Sequence, residues 1–178
     1  MSAETALVII DVQAGLFDDG DPDDRAVLAR IAGLLERARA SGTTVVYVQH
    51  DGVAGHPLEP ESDGWPIHPA IAPRADDLSV RKRASDAFYK TPLQRALDAR
   101  GILRLVVCGA MTEYCVDTTC RRALSQGYDV TLVADGHATA DREQISRAQI
   151  VAWHNYALAR LTHPDHQISV VPAAEVTF

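Results

Sequence analysis

LRLVVCGAMTEYCVDTTCRRALSQGYDVTLVAD, residues 103 to 135, decides the fold. It opens on a β-branched run, 103–109, that is apolar on both faces, and it closes on another, 129–135. Between them Val116, Cys120, Ala123 and Leu124 recur at helical spacing. A strand apolar on both faces is one covered by helices above and below, and two such strands joined by a helix form the crossover unit of a parallel sheet.

The same alternation extends over the chain. Further strands are expected at 6–11, 43–49, 78–82 and 167–171, and an amphipathic helix carries Val27, Leu28, Ile31, Leu34, Leu35 and Ala38 on one face. Asp21 before Pro22 reads as an N-cap with proline at the first helical position, and Thr91 before Pro92 repeats the pattern. The stretch 51–73, rich in Pro, Gly and His, has neither period and reads as one long functional loop. The expected class is α/β: a three-layer α-β-α arrangement around a six-stranded, mainly parallel sheet, in a single domain spanning 1–178.

Composition narrows the partners. The 178 residues are 47% hydrophobic and 23% charged, which is globular, and the net charge of −7 disfavours nucleic acid or an anionic membrane surface. No stretch reaches the roughly 18 apolar residues of a membrane span, and MSAETALVIID lacks the basic start of a secretory signal. Three cysteines without a CxxC pair suit a reducing, cytoplasmic setting. A small-molecule substrate is therefore the expected partner.

Ligands of an open parallel sheet bind beyond the carboxyl ends of its strands, so the strand exits hold the candidate chemistry. They read IIDVQ, VQHD, VRKR and CGAMTEYC, and they present Asp11, His50, Lys82 and Cys115. Taken singly, each has a plain structural explanation: Asp11 as a strand cap, Lys82 as a solvated charge, His50 as a loop residue. Together they hold a nucleophile, a proton carrier and a cation. Thr112 is placed to cap the helix that follows Gly109, with Glu113 in its first turn, so Cys115 is expected near a helix N-terminus. There exposed amides and a nearby Lys82 would lower its thiol pKa, and Asp11 would carry the proton. Cys108 and Cys120 read as packing residues. Phe17, His50, Trp65, Tyr89 and Tyr114 are the candidate substrate-binding side chains, because they flank strand exits or lie in the long loop.

With these residues in place the sequence resembles the isochorismatase-like cysteine hydrolases, a superfamily that includes nicotinamidases and carbamoyl-amide hydrolases. The resemblance runs through LVIIDVQAGLF, VVYVQHDG, VRKRASDAFYKTPL and CGAMTEYCVDTTCRRALSQGYDVTLVADG. It implies a catalytic set of Asp11, Lys82 and Cys115, a cis peptide between Ala110 and Met111, and an oxyanion hole from the amides of Met111 and Cys115. It implies attack of Cys115 on an amide, carbamoyl or lactam carbonyl through a thioester, and assembly as a dimer or tetramer. Nicotinamidases carry an Asp-x-His metal motif after the second strand. Here His50-Asp51-Gly52 has glycine where that histidine belongs, and His68 alone is a poor site, so no metal or other cofactor is expected.

Other readings carry less. DDGDPDD, residues 18–24, lacks the ligand spacing of a calcium loop, and THPDH, 162–166, reads as a turn. A nucleotide or flavin module would show a glycine-rich turn after the first strand, which is absent. A vinyl ether hydrolase of isochorismatase type, using Asp11 alone, would have no use for Cys115. A redox role for Cys115 lacks a CxxC partner, and a non-catalytic small-molecule-binding relative remains the other alternative.

Overall fold

The computed structural model describes residues 4–178; residues 1–3, the start of the MSAETALVIID segment, lie outside the described residues. Six strands form one sheet: β1 (Thr5–Ile10), β2 (Thr44–His50), β3 (Leu78–Lys82), β4 (Arg104–Ala110), β5 (Asp129–Ala138) and β6 (Ile168–Val171). Their order is β3-β2-β1-β4-β5-β6, and all five pairings are parallel. The chain winds one way from β1 to β3, then returns to the other side of β1 with β4. The crevice between the ends of β1 and β4 is thus the topological switch point, where doubly wound sheets place ligands.

Hydrophobic burial explains the layers. All six residues of β1 are buried, as continuous apolar runs require. The helix α1 (Pro22–Ala40) lays the six apolar residues singled out above against one face of the sheet, and Asp21 caps it by accepting from the Asp23 amide. On the other face α2 (Leu93–Asp98), α3 (Asp117–Ser125) and α4 (Arg147–Leu158) contribute Leu93, Leu97, Cys120, Leu124 and Leu158 to a second cluster. Cys108 and Cys120 are fully buried in these two clusters. Among the described residues no helix is long and apolar enough to cross a membrane.

Three local expectations are corrected. The helix expected from Pro92 begins at Leu93, although Thr91 Oγ1 still accepts from the Leu93 amide at 3.3 Å. Thr112 does not cap α3: the chain first makes a π-helical turn, Thr112–Val116, and the Thr112 hydroxyl turns instead to His137. Strand β5 runs to Ala138, with a register shift against β4 between Val107 and Gly109. Such an irregularity beside a site re-aims the backbone.

Gly109 is required where β1 and β4 converge. Its φ is +122°, and a Cβ there would sit 2.0 Å from the Ile10 carbonyl oxygen. Gly109→Ala is expected to cost about 3 kcal/mol, from overpacking and a disfavoured φ together, read as a lower urea midpoint. An unchanged midpoint would mean that β4 can withdraw from β1 without penalty.

Candidate active site

Three strand exits deliver three side chains to one point. Asp11 follows the last residue of β1 with φ +49°, a left-handed conformation that aspartate tolerates better than most residues, and its amide donates to the Val48 carbonyl. Lys82 is inward because of strand parity: along β3 Val80 and Lys82 are buried while Ser79 and Arg81 are exposed. In VRKR the central lysine therefore enters the protein between two outward arginines. Cys115 arrives from β4 through Gly109, the cis Ala110–Met111 peptide and the π turn.

The Lys82 ammonium is the hub. Its Nζ lies 2.6 Å from Asp11 Oδ2, 3.1 Å from Cys115 Sγ and 3.2 Å from His50 Nδ1. An ammonium has three protons and no lone pair, so it donates to all three partners, and the His50 proton sits on Nε2. The pair is sealed, with side-chain exposure of 0% for Lys82 and 2% for Asp11. Asp11 Oδ1 is buried without a hydrogen-bond partner. A buried, unpaired carboxylate oxygen is costly as structure but is what a proton acceptor needs.

Electrostatics corrects the expected activation of the thiol. Burial pushes the Cys115 pKa up to about 11; the Asp11 charge adds to that rise, and Lys82 opposes it without prevailing. Cys115 packs against the core cluster on the α3 side, where desolvation of a thiolate outweighs one cation and a short helical turn. At neutral pH the Cys115 side chain is therefore favoured as a thiol. Burial also raises the Asp11 carboxyl above its ordinary range, against the lowering effect of Lys82. A weakly acidic thiol next to a carboxylate of increased basicity is suited to proton transfer during attack rather than to a preformed thiolate. His50 is held neutral, pushed down to about 4 by burial and then by Lys82.

The other candidate residues are dispersed around this centre. The Trp65 indole donates to Asp51, which also pairs with Arg81 at 2.9 Å, and the Arg81 guanidinium lies over the indole ring. Tyr89 is half exposed and borders a cavity that Lys82 also lines. Tyr114, adjacent to Cys115, is exposed under the Arg142 guanidinium. Phe17 is not brought to the centre: it is buried among the α1-side core residues, edge-on to His68. His68 accepts from the Ala70 amide and faces Asp19 at 3.4 Å. His50 and His68 thus have separate partners, and among the described residues no group of three or more His, Cys, Asp or Glu is gathered as metal ligands.

Two supports escaped sequence reasoning. Gln13 is fully buried; its amide donates to the carbonyls of His50 and Trp65 and accepts from the His50 amide, which fixes the β2 exit and the long loop together. A glutamine two residues after Asp11, in the middle of apolar sequence, was the available signal. His137, pushed down to about 4 by burial, bridges the Thr112 hydroxyl and the Asn155 side chain at 2.9 Å each. It ties the π turn to α4 across 18 and 25 residues of sequence, a separation no local pattern reveals.

The sequence and the fold both match known proteins. A family model described as Isochorismatase domain matches residues 5–164. A streptothricin hydrolase of Streptomyces noursei is 41% identical over 138 residues, 76% of this chain and 50% of that protein, so the chain spans about half the length of that curated relative. The uncharacterized isochorismatase family protein YrdC of Bacillus subtilis strain 168 is 32% identical, over 90% of this chain and 89% of its own. The crystal structure of an isochorismatase from Pseudomonas putida KT2440 superposes with a TM-score of 0.87 at 33% identity, covering 98% of this chain and 91% of the other.

Proposed function

The chain belongs to the isochorismatase family of hydrolases, and from that membership we propose that it is a cysteine amidohydrolase that cleaves a C–N bond of a small amide, carbamoyl or lactam substrate. The observation that carries the reading is the sealed contact of Lys82 with both Asp11 and the Cys115 sulfur, at 2.6 and 3.1 Å. A vinyl ether hydrolase that works through Asp11 alone gives no reason for a thiol at that distance.

In this reading Asp11 accepts the thiol proton through its free oxygen as Cys115 sulfur attacks the carbonyl carbon. The amides of Met111 and Cys115, in the first turn after β4 where helix donors lack intrahelical acceptors, stabilise the oxyanion. Asp11 then protonates the departing nitrogen, the C–N bond breaks and a thioester remains. Water, deprotonated by Asp11, attacks the thioester carbon. The C–S bond breaks, and the sulfur recovers its proton. Lys82 holds the negative charge as it moves between carboxylate and sulfur. His50, Trp65, Tyr89 and Tyr114 border the substrate, while Phe17 supports the wall from the core.

The test is a panel of primary amides, carbamoyl compounds, lactams and isochorismate, scored by ammonia or product release before and after chelation. Turnover of at least one C–N substrate, unaffected by chelator, is the expected result. Turnover of isochorismate alone, or loss of all activity when a chelator removes a stoichiometric metal, would overturn it.

A further inference from the structure

His50 and Lys82 are register partners on the parallel strands β2 and β3, so their side chains leave the sheet side by side on one face. A protonated histidine there would repel the ammonium, with little water to screen the two charges. A neutral one does the opposite, because its bare ring nitrogen accepts a hydrogen bond. His50 is of the second kind: Nδ1 lies 3.2 Å from Lys82 Nζ, and burial and then the Lys82 charge push the ring down to about 4. The other charges that act on it come from the loop after β2: His56, with its ring centroid 5.8 Å away, and Asp51. Glu59, Glu61 and Arg83 line the cavity that His50 also borders.

The ammonium has three protons and three acceptors, Asp11 Oδ2, Cys115 Sγ and His50 Nδ1. Its side chain is 0% exposed, so no proton can turn to bulk water instead. A buried N–H without an acceptor is costly, and with all three acceptors filled the head group has one orientation, with one proton held on the sulfur. Without the third acceptor the ammonium turns towards whatever oxygen is in reach, and its hold on the sulfur weakens. His50 is itself fixed from behind. The fully buried Gln13 accepts from the His50 amide at 2.8 Å and donates to its carbonyl at 3.0 Å, which places the ring without engaging either ring nitrogen.

We propose that His50 is a positioning residue for Lys82: as the third acceptor it holds the ammonium against the Cys115 sulfur and so sets the reactivity of that thiol. For its place in a reaction the proposal rests on the hydrolase reading above. It gives the inner ring nitrogen a task that contact with substrate does not require.

The test is the rate at which iodoacetamide alkylates Cys115 at neutral and mildly alkaline pH, with the labelled cysteine identified by mass spectrometry. The parent is compared with His50→Leu, His50→Asn and His50→Gln. Leu and Asn match in size and branching, but Asn places an amide oxygen near the position of Nδ1, whereas Gln reaches that of Nε2. Leu should slow alkylation about three- to tenfold, the range that one net hydrogen bond supplies. Asn should recover most of the loss, and Gln should resemble Leu. In a Lys82→Met background His50→Leu should have no further effect, since His50 acts through the lysine. His50 is only half-buried, so thermal melts of its variants should match the parent. Nitrogen-15 NMR of the parent itself, which depends on no variant, should show Nδ1 bare and Nε2 protonated at neutral pH. Equal rates in Leu and Asn, rescue by Gln but not by Asn, a further loss in the Lys82→Met background, or a proton on Nδ1 overturns the proposal. These measurements need no substrate; the hydrolase reading fails separately, when the protein releases no product from any C–N substrate.

Discussion

Cys115→Ala is expected to abolish hydrolysis of every C–N substrate while leaving the melting temperature within a few degrees of the parent. In the proposed mechanism the thioester requires the sulfur, and the side chain, partly exposed at the edge of its cluster, contributes little packing. Cys115→Ser should be nearly as inactive, since a hydroxyl is a poorer nucleophile held in the same place. Cys108→Ala provides the contrast: it lies fully buried in the core and should lose about 1 kcal/mol of stability with its chemistry intact. Activity assays paired with urea titrations separate the two outcomes. Retained turnover in Cys115→Ala would remove the thioester from the mechanism.

The second large effect concerns the proton. Asp11→Asn preserves shape but cannot carry a proton, so kcat/KM should fall by about two to four orders of magnitude. The sign of the pH dependence follows from burial. In the proposed mechanism Asp11 must be ionised to accept the thiol proton, and its pKa is raised, so activity should decline as pH falls through a value above the range of a surface aspartate. The Asn variant should lack that limb. With the Cys115 thiol pushed up to about 11, alkylation by iodoacetamide should be slow at neutral pH and accelerate as pH rises. Lys82→Met removes the opposing cation and should slow alkylation further. Rates within about twofold of the parent would assign Lys82 the small effect of an exposed charge, at odds with its sealed position.

The strands and their exits were legible because a parallel sheet requires apolar runs, and runs are local. Two residues that the structure gathers at the site were legible at strand exits, Asp11 as the first polar group after its run and Lys82 as the lysine of VRKR, while Cys115 was legible as a cysteine in the turn that follows β4. The direction of the thiol pKa was not. It depends on how much protein surrounds Cys115, a sum over elements distant in sequence, whereas its helical turn and basic neighbour are visible in a short stretch. Thr112 shows the same limit: its place after Gly109 fits a cap, yet a histidine 25 residues away takes the hydroxyl. Phe17 stands beside a strand exit in sequence, but the short 3₁₀ turn Ala14–Leu16 carries it into the α1 side of the core.

The anchoring of the long loop has an evolutionary consequence. Gln13 grips it through the backbone of His50 and Trp65, Gln49 reaches the same Trp65 carbonyl, and the amides of Ala14, Gly15 and His68 exchange hydrogen bonds with Pro66, Gly64 and Val12. Every loop atom in that set belongs to the main chain, and almost any amino acid supplies the same carbonyl or amide. The exposed side chains between His50 and His68 are thus free to diverge while the frame that presents them stays in register; Gly64, where a Cβ would meet the Pro57 carbonyl, and the buried Asp51 and Leu58 belong to the frame. Substrate preference in such a protein can drift by single substitutions along the loop, with the catalytic centre inherited unchanged.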